Sequence, residues 1–267
     1  MNFLEIAGRR VGPDFPPLVI AEIGINHEGS LETAVELADC ALRNGAEVIK
    51  HQTHIISDEM SYVARLGKPM IVSTGMNSIE SLRPTVQIMR EHSVPFALLH
   101  CTNIYPTDPE LVRLNAMEEL ADAFPDAVVG LSDHSLTNYP CIGAVALGAS
   151  ILERHFTDSY SRPGPDISCS MDGPGLAQLI EASRIVHAAR GSGKGPIPEE
   201  AATIAFAFAS VAVTGAVKAG EILTESNIFP MRPAGGDFGV ADYDSLLGRR
   251  ASRDLEPGTQ LRKSDVL

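Results

Sequence analysis

What most limits the fold of this chain is a rhythm of six short apolar runs, each hydrophobic at nearly every position. They are PPLVIAEIGINHEG, AEVIKHQTH, PMIVSTGM, PFALLHCTNIYP, AVVGLSDH and ASILERHF. Runs rich in Val, Ile and Leu on both faces are strands buried on both sides. When they alternate with helices they predict a parallel sheet covered by helices, as an α/β barrel or a doubly wound sheet. The intervening segments have helical spacing. Leu31, Ala34, Val35, Ala38, Ala41 and Leu42 recur at three- and four-residue steps, and Gly45 is a helix stop. Asn77 or Ser78 caps a helix through Glu91. Asp108–Pro109 opens one to Phe124, a short Ala/Gly-rich helix spans Tyr139 to Gly148, and another runs from Leu176 to Ala189.

Polar residues crowd the C-terminal end of every strand: Glu22, Lys50 and Gln52, Ser73 and Thr74, Asn103 and Tyr105, Ser132 to His134, and Glu153 to His155. In a (β/α) barrel all such ends face one mouth, where the active sites of that fold lie. A doubly wound sheet concentrates its chemistry beside a Gly-rich phosphate turn, and no G-x-G-x-x-G or P-loop occurs here. The expected fold is therefore a TIM-type (β/α) barrel, incomplete at about six strand–helix units. Neighbouring parallel strands bring His134 and His155 to the same end of the sheet, and paired neutral imidazoles suit Zn, Mn or Fe. Two hydrogen-bonded loop histidines would satisfy the same pattern. His100 alternates with apolar residues and reads as a satisfied core histidine, while His27 and His54 lie at the mouth in supporting roles.

After the last helix the style changes. Residues 1–190 read as the barrel, 191–205 (GSGKGPIPEE and the residues around it) as a linker in which Phe206 and Phe208 pack, and 206–267 as a small β-rich domain. That domain carries an internal echo, since VKAGEILT and LEPGTQLR are each followed by a polar step, ESNI and KSDV. The net charge of −13 opposes nucleic acid or an anionic membrane as partner, so local cations must meet any anionic substrate. Cys40, Cys101, Cys141 and Cys169 are scattered, as buried thiols of a reducing compartment would be. No apolar stretch approaches the roughly 18 residues of a membrane helix, and MNFLEIAGRR lacks the pattern of a signal peptide. A cytoplasmic protein is expected.

Taken together, IAEIGINHEG, KHQTH, STGM, HCTNIYP, GLSDHS, ERHF, RPGPD and MRPAGGDF resemble, in order and context, the sialic acid synthase family. The tail resembles the antifreeze-like SAF (β-clip) domain of those enzymes. The resemblance implies condensation of phosphoenolpyruvate with N-acetylmannosamine, or a related hexosamine, to a sialic acid and phosphate. It implies a divalent metal, Mn²⁺ first and Mg²⁺ or Co²⁺ as alternatives. It also implies a homodimer in which one subunit's SAF domain caps the partner's barrel. Residue by residue, it makes His134 and His155 the metal ligands and Glu22 the acid/base carboxylate. Lys50, Ser73, Asn103 and Ser132 would surround the phosphate and carboxylate of phosphoenolpyruvate. Gln52, Tyr105 and Asp166 would touch the amino sugar, and Arg232 would reach the N-acyl group from the neighbouring subunit.

One departure from the family is large. Between KHQTHIISDEM and YVARLGKPMIVSTGM the family has two more strand–helix units, one carrying another lysine for the phosphate. Losing that lysine would cost about 1.5–3 kcal/mol of anion binding. Where eight strands would close, six leave either a strained smaller closure or an open sheet with two edges. The readings that follow are the synthase itself, a synthase for legionaminate, pseudaminate or a spore-coat sugar, and a non-catalytic remnant that binds sugar or partner subunits.

Overall fold

The chain begins with a hairpin, β1 (Leu4–Ile6) and β2 (Arg9–Val11), joined through Ala7 and Gly8. Six parallel strands follow: β3 (Leu18–Gly24), β4 (Val48–His51), β5 (Met70–Ser73), β6 (Phe96–Cys101), β7 (Val128–Asp133) and β8 (Ile151–His155). Their order in the sheet is β4-β3-β8-β7-β6-β5. The first strand of the series thus pairs with the last, with Glu22 level with His155, and the others pair with their neighbours in sequence. That is the winding of a barrel wall. It is interrupted between β4 and β5, so the six strands form an arc of an incomplete TIM barrel. In this computed structural model the described residues are 3–51, 63–191 and 193–267.

Strand side chains alternate between two faces. Those facing into the arc, Leu18, Ile20, Ala97, Leu99, Val128 and Ile151, pack on Leu4 and Val11, so the hairpin plugs the base. Those facing out, among them Val19, Ala21, Ile23, Leu131 and Leu152, pack on a helical layer. That layer includes α1 (Leu31–Arg43), α2 (Ile79–Glu91), α3 (Pro109–Val112), α4 (Ala116–Ala123), α5 (Tyr139–Ala146) and α6 (Gly173–Ala189). Ser30 caps α1 by accepting from Thr33 N, and Ser78 caps α2 in a capping box with Ser81. Asp172 caps α6 by accepting from Gly175 N at 2.8 Å.

The single helix expected from Asp108 to Phe124 is two helices, broken at Arg113, whose φ is 54°. The carbonyls of its first turn are taken by strand side chains. Thr102 Oγ1 donates to Leu111 O at 2.8 Å, and His100 Nε2 lies 2.7 Å from Val112 O. With those acceptors satisfied from β6, nothing is gained by continuing the helix. His100 is buried and partnered, as its position in the strand suggested.

The two compact units are 1–191 and 192–267. Part of the stretch read as a linker is ordered as a turn at Pro198–Glu200 and a helix, α7 (Ala201–Ala207). Phe206 and Phe208 are exposed rather than packed, because a seven-residue helix with no buried residue has no core to offer them. The second unit has its own core of Val211, Val213, Val217, Leu223, Ile228, Leu246, Ala251, Leu255, Leu261 and Val266. It also contains the antiparallel pair β9 (Ser210–Val213) and β10 (Ile228–Met231) and the short helix α8 (Tyr243–Leu246).

The sequence echo is a structural repeat. Val217 and Leu255, the heads of the two copies, exchange both backbone hydrogen bonds. The equivalent Gly220 and Gly258 have φ of 81° and 84°, a left-handed turn that disfavours any side chain. Thr224 N donates to Asn227 Oδ1, and the equivalent Arg262 N to Asp265 Oδ2.

Candidate active site

Continuing the inward-facing alternation to the strand ends brings Glu22, Lys50, Ser73, Cys101, Ser132, Glu153 and His155 to the mouth. The residues between them point the other way. Asp133 and Arg154, the central residues of the SDH and ERH motifs, form a buried ion pair at 3.5 Å behind the sheet. Arg154 also donates to Asn138 Oδ1 at 2.5 Å, to Cys169 O at 3.3 Å and to Ser135 O. These bonds tie together the loops that follow β7 and β8, which carry the histidines.

At the centre of the mouth the Lys50 ammonium lies 3.2 Å from Glu22 Oε1 and 2.9 Å from Glu153 Oε1. Ser132 Oγ donates to the same Glu153 oxygen at 3.0 Å. Both carboxylates are buried, while Lys50 is 38% exposed. Burial alone would lower the Lys50 pKa, but Glu153 and Glu22 outweigh it and raise the ammonium above its ordinary 10.5. Burial pushes the Glu153 carboxyl up, Lys50 pulls it back, and Glu22 adds to the rise. One cation shared by two buried carboxylates is a strongly polarised centre, and perturbed groups of this kind mark functional sites.

Beside it, the rings of His134 and His155 lie 5.3 Å apart, centroid to centroid. Tyr105 stacks on His134 at 4.0 Å and meets His155 edge-on at 5.8 Å. His134 Nδ1 is 3.0 Å from Thr102 O, to which it must donate, so its Nε2 carries the lone pair. His155 Nε2 is 3.9 Å from Glu22 Oε2, and its Nδ1 is 3.7 Å from Asp166 Oδ2. That Nδ1 is buried with no hydrogen-bond partner. Burial, with His134 adding to it, lowers the His155 pKa to about 4, against the opposing pull of Asp166. Gly24 makes room for the ring. Its φ is 49°, and a Cβ there would sit 3.2 Å from His155 Nδ1. The β3–β4 register shifts between Glu22 and Gly24, a local irregularity of the sort that re-aims side chains beside active sites.

Two imidazoles, His134 with Nδ1 turned to a carbonyl and Nε2 left over, and His155 with an unpartnered buried nitrogen, fit a divalent cation. Among the described residues no group of three or more His, Cys, Asp and Glu side chains is set to enclose one. A cation held by the pair would have two protein ligands from the described residues, leaving other positions for water or substrate.

Of the other residues singled out in the sequence, Asn103 lies at the mouth, with Cys101 Sγ 2.9 Å from its Oδ1. Asp166 lies against His155. Ser73 is exposed at the end of the edge strand β5. Gln52 and His54 fall outside the described residues, and Arg232 is exposed in the second unit. Asn26 has a scaffolding role, its Nδ2 donating to Phe156 O and Ser170 Oγ at 3.1 Å each. His27 Nδ1 accepts from Gly29 N at 3.1 Å. Glu153, named in the sequence only as one of the polar strand-end residues, had been given no role in the site. Counting back two from His155, along a strand whose alternate residues share a face, would have found it.

Residues 56–195 match the NeuB family, and residues 208–267 match the SAF domain. The chain belongs to the NeuB family. This family of sialic-acid-type synthases accounts for the motif set and for the second unit. The spore coat polysaccharide biosynthesis protein SpsE of Bacillus subtilis is 28% identical over 366 positions, covering 100% of this chain and 98% of SpsE. The SpsE crystal structure covers 99% of each chain with a TM-score of 0.64. A pseudaminic acid synthase of Campylobacter jejuni is 36% identical over 206 residues, covering 76% of this chain and 59% of its own. An N,N'-diacetyllegionaminic acid synthase of the same species is 31% identical over 241 residues, covering 87% of this chain and 72% of its own. No helix among the described residues of this NeuB-family chain is long and apolar enough to cross a membrane.

Proposed function

We propose that this chain condenses phosphoenolpyruvate with an N-acetylated hexosamine and water, giving a nine-carbon sialic-type keto acid and phosphate. The observation that carries the reading is one mouth in which Lys50, braced by Glu22 and Glu153, stands beside the His134–His155 pair. Lys50 binds the anionic end of phosphoenolpyruvate through a charge-assisted hydrogen bond, which is worth more than a neutral one. Ser132 and Asn103 flank it. His134 and His155 would hold a divalent cation, Mn²⁺ in this reading, which would supply Lewis-acid polarisation of the sugar aldehyde. Glu22 is the carboxylate placed to move a proton at the reacting carbon. The C–C bond forms as the enol carbon attacks the aldehyde, water then adds to the resulting cationic carbon, and phosphate leaves. Tyr105, whose hydroxyl burial pushes up to about 12, stays a neutral donor beside the histidines, on the sugar side with Gln52 and Asp166. In this reading the working unit is a cytoplasmic homodimer, with Arg232 supplied by the partner.

The identity of the sugar is a second level of the same proposal. The matches to SpsE and to the pseudaminic and legionaminic acid synthases favour a modified hexosamine at least as strongly as N-acetylmannosamine. The alignment with SpsE spans 366 positions against the 267 residues of this chain, so SpsE has segments that this chain lacks. We place the shortening at the interval between β4 and β5, where a second phosphate-binding lysine would stand. Weaker phosphoenolpyruvate binding follows, and in the limit a remnant without turnover.

Incubation with Mn²⁺, phosphoenolpyruvate and each hexosamine in turn, followed by mass spectrometry, tests the reading. A keto acid from N-acetylmannosamine supports the first substrate. A keto acid from diacetamido sugars alone supports the second. No product from any sugar contradicts the synthase and leaves the remnant.

A further inference from the structure

Glu153 stands on β8 and reaches across the sheet in both directions. Its Oε1 takes the Lys50 ammonium at 2.9 Å and the Ser132 hydroxyl at 3.0 Å. Lys50 is on β4, two strands away past β3, and Ser132 is its register neighbour on β7. One oxygen, 97% shielded with the rest of its residue, therefore ties β8 to β4 and β7 at the mouth, reaching past β3. The serine has a single hydrogen and gives it to Glu153, so in this arrangement it braces the carboxylate. The ammonium has three, of which Glu22 and Glu153 account for two. A lysine on a four-carbon stem, 38% exposed and on an edge strand, has many rotamers available. Among the described residues two fixed acceptors hold two of the hydrogens, which leaves the third for an anion.

We propose that Glu153 is a positioning residue, held by Ser132, that aims the Lys50 ammonium at the anionic group of the substrate. This deepens the reading above and rests on Lys50 being the anion-binding group. A carboxylate beside an anion site is unfavourable by charge alone. The proposal therefore makes a prediction opposite to simple electrostatics, in which removing Glu153 would tighten anion binding.

The test is calorimetric titration of the full chain with phosphoenolpyruvate in the presence of Mn²⁺. Wild type, Glu153→Ala, Glu153→Gln, Lys50→Ala and the Glu153→Ala/Lys50→Ala double variant are compared, and the melting temperature of each is recorded. Glu153→Ala is expected to weaken the Kd about tenfold or more, the loss of one charge-assisted hydrogen bond. Glu153→Gln keeps an acceptor oxygen and should stay within about threefold of wild type. In the Lys50→Ala background, removing Glu153 should change the Kd no further, because the two act as one unit. A merely structural glutamate would lower the melting temperature and the fraction of binding-competent protein, leave the Kd of that fraction alone, and show no such coupling. Unchanged or tighter binding by Glu153→Ala overturns the proposal while leaving the functional reading intact. A wild type that binds no phosphoenolpyruvate overturns both.

Discussion

At the scale of the residue, burial and ligation ask the same thing of His155. It is buried, so its imidazole stays neutral, and a neutral ring is what a metal ligand has to be. Its pKa of about 4 lies below the ordinary 6.5 of the unfolded chain. The folded state therefore binds fewer protons than the unfolded one between those values, and stability falls as pH drops from about 6.5 to about 4. The metal-free protein should lose stability on the order of a few kcal/mol across that window through this residue. Urea unfolding at pH 7 and pH 4.5 checks it, and His155→Asn should show a smaller loss. On the metal side, His134→Ala and His155→Ala should each weaken Mn²⁺ binding by more than the roughly 10- to 100-fold that a lost supporting hydrogen bond costs. Electron paramagnetic resonance of free Mn²⁺ reads this without reference to turnover. Much of the mouth was legible because strand-end residues announce themselves: Glu22, Lys50, Ser132, His134 and His155 converge as their motifs imply. Glu153 was named only as a polar strand-end residue and given no role, because its partner Lys50 lies two strands away and nothing within β8 shows that pairing. Its neighbour Arg154 points away, to Asp133.

The scale of the element shows where local chemistry writes itself into sequence and where it does not. The cap at Ser78 was readable in outline, since Ser before helical spacing has a direct backbone partner; the start of α6 at Gly173, capped by Asp172, was not, and the spacing placed it at Leu176. The break at Arg113 was not, because its cause is non-local. His100 on β6 and Thr102 just after it engage the carbonyls of Val112 and Leu111, and no spacing within 108–124 reveals that. The two-copy echo in the second unit was legible to the level of individual turns, because Gly220 and Gly258 serve the same left-handed position. Replacing either with Ala should destabilise that unit by about 1–2 kcal/mol. Chemical denaturation followed by a probe in the second unit should show a similar shift for both variants. A cost at only one of them would mean that the repeat is sequence similarity without equivalent strain.

On the scale of the whole molecule, each unit carries its own core, and the cores share no residue. Calorimetry should accordingly resolve two transitions, with the second unit melting independently when the first is destabilised by acid. A single transition at all pH values would show the units to be thermodynamically one. The wound order of the sheet was legible as a barrel from the crowding of polar strand ends, and the pairing of β3 with β8 bears that out. Among the described residues β4 and β5 are the two edges of the sheet, and the short interval noted between them in the sequence includes residues 52–62, outside the described residues. Along the inside of the arc lies a cavity of about 710 Å³, lined by Ile20, Val48, Ile71, Lys50 and Glu153 among others. The account's central claim is that this arc, short as it is, still performs the family's condensation at one mouth. The most direct test is the rate of phosphate release from phosphoenolpyruvate with Mn²⁺ and a hexosamine, for wild type against His155→Ala. The account predicts sugar-dependent release by wild type that the variant loses. Release no faster than the variant's with every hexosamine would contradict it.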